Sequence, residues 1–126
     1  MALSACNTEA VLDKNGKEIM QTGSSLFPIA CFLDNVSRMP VPLHWHDEIE
    51  AFAVVSGDIK VMVGVESVTL SEHESIIINS GILHGISANS NKECRLKCIC
   101  WEPSVTGGRE NSVFWQNYTR PFISDK

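Results

Sequence analysis

The stretch His44-Trp45-His46-Asp47-Glu48-Ile49-Glu50 decides how this sequence is interpreted, because an ionisable side chain occupies every second position. Alternate side chains of a β-strand point to opposite faces, so the two histidines and the glutamates at 48 and 50 are predicted on one face. Phe52 and Val54 continue that face, which should therefore be buried. Buried imidazoles and carboxylates are unfavourable unless a metal, a ligand or water satisfies them. The stretch therefore predicts a binding site.

Length and composition indicate one folded domain. The chain has 126 residues, 44% of them hydrophobic and 20% charged, and no apolar run approaches the length of about 20 residues that a membrane helix needs. The net charge is −5, and the ten Lys and Arg residues are scattered singly. Because nucleic-acid binding requires a basic surface, we expect no DNA binding by this chain alone, and no membrane association.

The cysteines indicate a reducing compartment. There are five, an odd number, and no secretion signal is evident, so we expect free thiols and a cytoplasmic location. Cys94, Cys98 and Cys100 share strand parity with Leu96 and should line one strand face. Buried cysteine usually acts as a small hydrophobic residue, which is the favoured interpretation. A thiol sensor or a soft-metal site is the alternative.

The pattern of the chain predicts an all-β fold. Residues 1–24 form a polar N-terminal arm, 25–104 a barrel, and 105–126 a C-terminal helical segment. The middle part contains seven or eight short apolar runs separated by turn residues, as in β-sandwiches and barrels. In the last part, Asn111 or Ser112 can cap a short helix, which is predicted to end before Pro121. This helix is too apolar for a free surface and should pack on the barrel or on a second subunit.

Two motifs resemble those of the cupin family. His44-x-His46-x-x-x-Glu50-x6-Gly57 resembles the first cupin motif, and Gly81-x-x-His84 resembles the second. The resemblance implies a cupin-like double-stranded β-helix, a jelly-roll barrel, with a short C-terminal helix. Arg38 and His73 stand where the cupin motifs usually have glycine, which weakens the match to the full metal-enzyme pattern. Histidine is among the residues that tolerate positive φ, so His73 is compatible with the fold.

The resemblance extends to a more specific family. Phe27-Pro28, Trp101-Glu102-Pro103-Ser104, Gly107-Gly108 and Tyr118-x-x-Pro121 resemble the N-terminal sensor domain of AraC-family transcription regulators. It implies a non-enzymatic, dimerising domain that binds a small-molecule effector, with sugars as one known class. It also implies that DNA is bound only through a C-terminal domain with two helix-turn-helix motifs, which residues 1–126 do not contain.

The site residues follow from the cupin resemblance. The predicted ligand-binding residues are His44, His46, Glu48, Glu50 and His84. All except Glu48 are also predicted to bind a divalent metal, because three imidazoles and one carboxylate suit Zn, Mn, Fe, Ni or Cu. The alternative is that the histidines line an effector pocket as hydrogen-bonding groups. Either interpretation requires that His46 and His84 face one cavity.

A metalloenzyme is the rival function. A stand-alone cupin could use the same four metal ligands for an oxygenation, an isomerisation or a decarboxylation. The sequence shows no further nucleophile or acid–base pair beside the histidine–carboxylate cluster. A native reading frame that continues past Lys126 into a helical domain of about 100 residues would favour the sensor.

Overall fold

The computed structural model describes the backbone of residues 4–5 and all of residues 10–126. The predicted arm at 1–24 therefore lies partly outside the described residues. Within those residues, no helix is long and apolar enough to cross a membrane.

The described chain is built mainly of β-strands with a helical C-terminal part. The strands are β1 (Ser4–Ala5), β2 (Ile29–Asn35), β3 (Val41–His44), β4 (Ile49–Ser56), β5 (Ile59–Val63), β6 (Glu66–Leu70), β7 (Ser75–Ile78), β8 (His84–Ala88) and β9 (Arg95–Trp101). The helical elements are α1 (Ser104–Gly107), a π-helical turn (Trp115–Thr119) and α2 (Arg120–Ser124).

The strands form two sheets that face each other. One has the order β1-β2-β9-β4-β7 and the other the order β3-β8-β5-β6. Pairing is antiparallel except between the two-residue β1 and β2. Sequential neighbours often lie in different sheets, as in a jelly roll, where each strand crosses to the opposite sheet. The predicted all-β jelly-roll fold with a short helical C-terminus is confirmed.

The core lies between the sheets because apolar residues recur at every second strand position. On β9, Leu96, Cys98 and Cys100 are buried while Arg95 and Lys97 are exposed. The cysteines of β9 thus share the inward face with Leu96, as their parity predicts. The remaining buried apolar side chains come from both sheets and include Phe52, Val54, Ile59, Val61, Ile78 and Ile86.

The central heptapeptide is not one continuous strand, so that prediction is wrong. β3 ends at His44, residues 47 and 48 form a bend, and β4 begins at Ile49. The connection is held from outside the sheet: the amide of Trp45 donates to the carbonyl of Gly16 (3.1 Å). Beyond the bend, Glu50, Phe52 and Val54 are all buried, as strand alternation predicts. Ile49, which was expected on the outer face, is only 3% exposed.

The C-terminal helix begins where predicted but ends later. Ser112 Oγ accepts a hydrogen bond from the amide of Trp115 (3.0 Å), which confirms the predicted cap. The predicted end before Pro121 is wrong, because helical residues continue through α2. Within the π-helical turn the amide of Arg120 bonds the carbonyl five residues back, at Trp115. Pro121 then falls in the first turn of α2, where its missing N–H is tolerated.

Candidate metal and effector site

Three histidines and one glutamate converge between the sheets. His44 ends β3 and His84 begins β8, and the two are paired across these strands. His46 lies in the bent connection, and Glu50 is the second residue of β4. All four are buried, and one potential ligand atom from each lies within 4.8 Å of the others. The structure therefore brings together all four predicted metal ligands, while their role as ligands stays a prediction.

A backbone hydrogen bond at the Gly81 turn links the second motif to the first. The amide of Gly81 donates to the carbonyl of His46 (2.8 Å). Gly81 has φ 72°, a left-handed conformation that disfavours a Cβ, which explains the glycine in this turn. The turn delivers His84 to the start of β8, opposite His44. The turn at Gly81 thus brings His84 to the other histidines, which strand alternation alone would not do.

Backbone carbonyls fix the orientation of each imidazole. Nδ1 of His44 lies 2.8 Å from the carbonyl of Pro42, and Nδ1 of His84 lies 2.8 Å from the carbonyl of Ile82. Nδ1 of His46 lies 3.2 Å from the carbonyl of Glu48. Because a carbonyl can only accept, each Nδ1 must carry the hydrogen. This leaves the lone pair of a neutral imidazole on Nε2, the arrangement found when histidine binds a metal through Nε2.

The carboxylate of Glu50 makes this arrangement unstable without a positive charge. Its Oε2 lies 2.8 Å from Nε2 of His84 and 3.2 Å from Nε2 of His46. A lone pair on Nε2 would repel the carboxylate, so each contact requires either an imidazolium or a cation bound between the two atoms. The donor set and its orientation therefore fit a divalent metal ion held by His44, His46, Glu50 and His84.

The ionisation of the cluster follows from its contacts. Burial raises the pKa of Glu50, but hydrogen bonds from His46 and His84 outweigh burial and hold this pKa well below its usual range. Burial lowers the pKa of His46, yet the hydrogen bond and charge of Glu50 prevail and raise it. At His44, burial prevails and lowers the pKa. The cluster is thus a fixed negative charge surrounded by three imidazoles.

Glu48 lies beside the cluster and not within it. Its Oε1 accepts a hydrogen bond from the hydroxyl of Thr22 (2.7 Å), and its Oε2 lies 3.6 Å from Nδ1 of His46. This carboxylate thus contacts the metal-distal side of the His46 ring. This geometry allows Glu48 to orient His46, while its part in ligand binding stays a prediction.

Glu18 also reaches the cluster, which no sequence motif indicated. Its Oε2 lies 3.5 Å from Nε2 of His44, and burial raises its pKa. The amide of Glu18 donates to the carbonyl of Trp45 (2.8 Å), which holds the N-terminal segment against the bent connection. This approach depends on long-range backbone pairing, so no local pattern could have revealed it.

The Cys98 thiol also contacts the cluster, and the Cys100 thiol lies next to it. Cys98 Sγ donates to Oε1 of Glu50 (2.7 Å) and lies 3.6 Å from Cys100 Sγ. The Cys100 thiol, burial and the Glu50 charge together raise the pKa of Cys98, so its thiol stays protonated. Strand parity had placed both cysteines on one inward face. Their contact with Glu50 needed the pairing of β4 with β9, which the sequence does not specify.

His44, His46 and Glu50 of the cluster line a cavity of about 760 Å³. This volume is in the range of small-molecule sites. Its apolar wall includes Met20, Phe32 and Ile86, and its charged side chains are Glu18, Asp34, Arg38 and Glu50. Three carboxylates against one guanidinium favour a ligand that carries positive charge or many hydrogen-bond donors.

Comparison with known proteins agrees with this geometry. Residues 36–101 match the family model described as the cupin domain, Cupin_2. The chain belongs to the cupin family. The matched residues include all four members of the cluster as well as both cysteines of β9.

One relative is a regulator by name. The chain is 27% identical over 116 residues to the uncharacterized HTH-type transcriptional regulator YdeC of Bacillus subtilis (strain 168). The match covers 90% of this chain and 39% of that protein, so the chain spans well under half of the relative's length.

Solved cupin structures are similar in fold. A cupin-2 domain containing protein from Shewanella frigidimarina is 26% identical with a TM-score of 0.50, and the match covers 56% of this chain and 68% of that one. A predicted oxalate decarboxylase from Thermotoga maritima is 18% identical with a TM-score of 0.52, covering 60% of this chain and 66% of that one. At such identity the second likeness concerns the fold alone.

Proposed function

We propose that this chain is the effector-sensing and dimerising domain of a transcription regulator of the AraC type. The observation that carries the proposal is the similarity to the HTH-type regulator. That similarity extends over 116 residues, well beyond the cupin domain at 36–101, yet spans only 39% of the regulator. A domain that forms a minor part of a longer regulator is suited to sensing, while a separate domain binds DNA.

In this proposal the His44, His46, Glu50 and His84 cluster holds a divalent metal. Each Nδ1–H group donates a hydrogen bond to a backbone carbonyl, so three Nε2 lone pairs and one carboxylate remain for the ion. Three nitrogens and one oxygen suit Zn, Mn, Fe or Ni. The ion would supply positive charge at the cavity wall and an open coordination position for an effector oxygen or nitrogen.

The effector occupies the cavity beside the cluster. A volume of about 760 Å³ accommodates a small polar molecule, and the apolar wall from Met20, Phe32 and Ile86 buries its less polar side. Glu18 and Asp34 also line the cavity, and their carboxylates can accept hydrogen bonds from hydroxyl or amino groups. A sugar is one class with this chemistry, and a polyamine is another.

The C-terminal helix supports dimerisation with a second copy of the chain. Phe114, Tyr118 and Phe122 recur every four residues and are 67%, 68% and 47% exposed. Large apolar side chains aligned on one helical face usually mark an interface. Helix-turn-helix proteins commonly bind two half-sites as a dimer, so a second copy is the occupant that the regulator function requires.

A reporter experiment tests the sensor function. Residues 1–126 are fused to the DNA-binding domain of a one-component regulator that requires a fused sensor, and candidate metals and metabolites are added to the host. We expect reporter output to change with a metal or an effector, and His46→Ala to abolish the response while the protein level stays constant. A reporter that never responds, with the fusion folded and dimeric, contradicts the proposal.

One observation favours a metalloenzyme as the second candidate. Glu18 has a raised pKa, lies 3.5 Å from Nε2 of His44 and lines the cavity. A carboxyl with these properties next to a metal site can act as a general acid or base. Turnover of a small carboxylic acid or of O2 by the metal-loaded chain, lost on Glu18→Gln, would support the enzyme. A reading frame that continues past Lys126 into a helical domain would support the sensor.

A further inference from the structure

Glu50 lies between two groups of potential metal ligands. Its Oε2 contacts Nε2 of His46 and of His84, whereas its Oε1 accepts the hydrogen bond from Cys98 Sγ. Cys98 Sγ lies 3.6 Å from Cys100 Sγ. The ligand atoms of Glu50, Cys98 and Cys100 lie within 4.8 Å of one another, and all three residues are buried. The imidazole cluster therefore has a thiol-containing neighbour that shares its carboxylate.

The strand register explains why these three side chains meet. Cys100 is the partner of Glu50 in the pairing of β4 with β9, and Cys98 is the partner of Phe52. Cys98 and Cys100 are two residues apart on β9, so both side chains point into the space between the sheets. The two sulfurs of β9 and the carboxylate of β4 therefore lie close together in the buried space between the sheets.

We propose that Cys98, Cys100 and Glu50 Oε1 form a second metal subsite, selective for a thiophilic ion such as Zn²⁺ or Cu⁺. In a tetrahedral zinc site with Zn–S bonds of about 2.3 Å, two sulfurs are separated by roughly 3.8 Å. The observed Sγ–Sγ distance of 3.6 Å is close to that value. Thiolate ligands favour Zn and Cu⁺ over Mg, Ca or Mn.

Metal binding changes the contacts of the three groups in a defined way. The two thiols lose their protons to solvent as sulfur–metal bonds form. Oε1 of Glu50 loses its hydrogen bond from Cys98 and becomes the third ligand. The distance between Oε1 and Cys98 Sγ must then lengthen from 2.7 Å to roughly 3.5 Å, a change within the reach of side-chain rotation.

The alternative is that these cysteines only fill the core, and Cys94 illustrates that role. Cys94 is fully buried, and its thiol donates to the backbone carbonyl of Asp58 (3.1 Å). Cys98 and Cys100, in contrast, line the 760 Å³ cavity together with His44 and His46, so an ion in that cavity can reach them. Contact with a carboxylate and access from the cavity distinguish the two β9 cysteines from Cys94.

The subsite is independent of the regulator function, and only its use in sensing depends on that function. The test is titration of the reduced, metal-free chain with Co²⁺ in the absence of oxygen. Thiolate ligands give Co²⁺ an intense near-ultraviolet charge-transfer band, which imidazole and carboxylate ligands do not. We expect the band in the wild-type chain, its loss in the double variant Cys98→Ser/Cys100→Ser, and its retention in Cys94→Ser as the matched buried control.

Bound cobalt without a charge-transfer band in the wild-type chain would overturn the proposal, and so would a band that survives in the double variant. Far-ultraviolet circular dichroism checks the fold of each variant. If the double variant does not fold, Cys98→Ala and Cys100→Ala replace it, and each should reduce the band to about half, since one of the two thiolates is lost. A reporter that fails to respond would contradict the sensor function but leaves this result unchanged.

Discussion

Glu50→Gln should separate the metal-binding role of the cluster from its structural role. The substitution keeps the side-chain volume but removes the charge that a bound cation requires. The amide group of the glutamine can donate to Nε2 of His84, which lies 2.8 Å from Oε2 in the wild-type chain, so this contact is kept without the charge. We therefore expect Glu50→Gln to fold normally and to lose most of its metal affinity.

The magnitude follows from binding linkage. At a metal concentration 100 times Kd, the wild-type chain gains about 2.7 kcal/mol of unfolding free energy. Loss of a supporting partner of a ligand lowers metal affinity by about 10- to 100-fold, so loss of the ligand itself should lower it at least about 100-fold. The variant then gains only about 0.4 kcal/mol at the same concentration. For a chain of this size, the gain in Tm should be roughly 8–16 °C in the wild type and about 2 °C in the variant.

The assay is thermal unfolding of the metal-free chain with and without Zn²⁺, followed by circular dichroism. Glu48→Gln is the matched control, because the Glu48 carboxylate lies on the metal-distal side of His46 and contacts Thr22. As a supporting partner at 3.6 Å, Glu48 should cost about tenfold in affinity when changed, the lower end of that range, or about 1.4 kcal/mol. A Glu50→Gln variant that gains as much Tm from Zn²⁺ as the wild type would refute the assignment of Glu50 as a ligand.

Three further predictions concern pH, a turn and the helix. Because the folded-state pKa of Glu50 is lowered, its contacts with His46 should stabilise the metal-free chain above about pH 4.3 and cease to do so as the pH falls toward the folded pKa. Urea unfolding of the wild type from pH 7 to 3 should show this loss, and the same slope in Glu50→Gln would disprove it. Gly81→Ala should lower stability by about 1–2 kcal/mol, since φ is 72° there, and an unchanged urea midpoint would contradict this. Phe114→Ser/Tyr118→Ser should shift the chain from dimer to monomer in analytical ultracentrifugation with an unchanged circular dichroism spectrum, and a variant that stays dimeric would exclude this face as the interface.

Sequence spacing predicted which residues meet, but by a partly wrong route. His44, His46 and Glu50 were placed on one face by strand alternation, whereas the chain bends at 47–48. They still converge because Gly81 holds the carbonyl of His46 and because β3 pairs with β8. The spacing of the motif residues thus depends on the geometry of the bend and the turn, which a pattern of alternating strand residues does not predict.

What the sequence could not predict depends on long-range pairing. Glu18 reaches His44 only because the N-terminal segment binds the backbone of Trp45. The contact of Cys98 with Glu50 depends on the register of β4 with β9, which requires the folded sheet. The helix passes Pro121 because a π-helical turn precedes it, and local propensity gives no warning of such a turn.

We propose above that the cluster binds a divalent metal through its three histidines and Glu50. The most direct measurement is a crystal structure of the chain purified without added metal or chelator, with anomalous diffraction collected at the absorption edges of Mn, Fe, Ni and Zn. We expect one anomalous peak about 2.0–2.2 Å from Nε2 of His44, His46 and His84 and from a carboxylate oxygen of Glu50. If the cells are grown in medium that contains all four metals and the cluster still holds only water, metal binding is contradicted. It is equally contradicted if His46 and His84 point to opposite sides of the sheet.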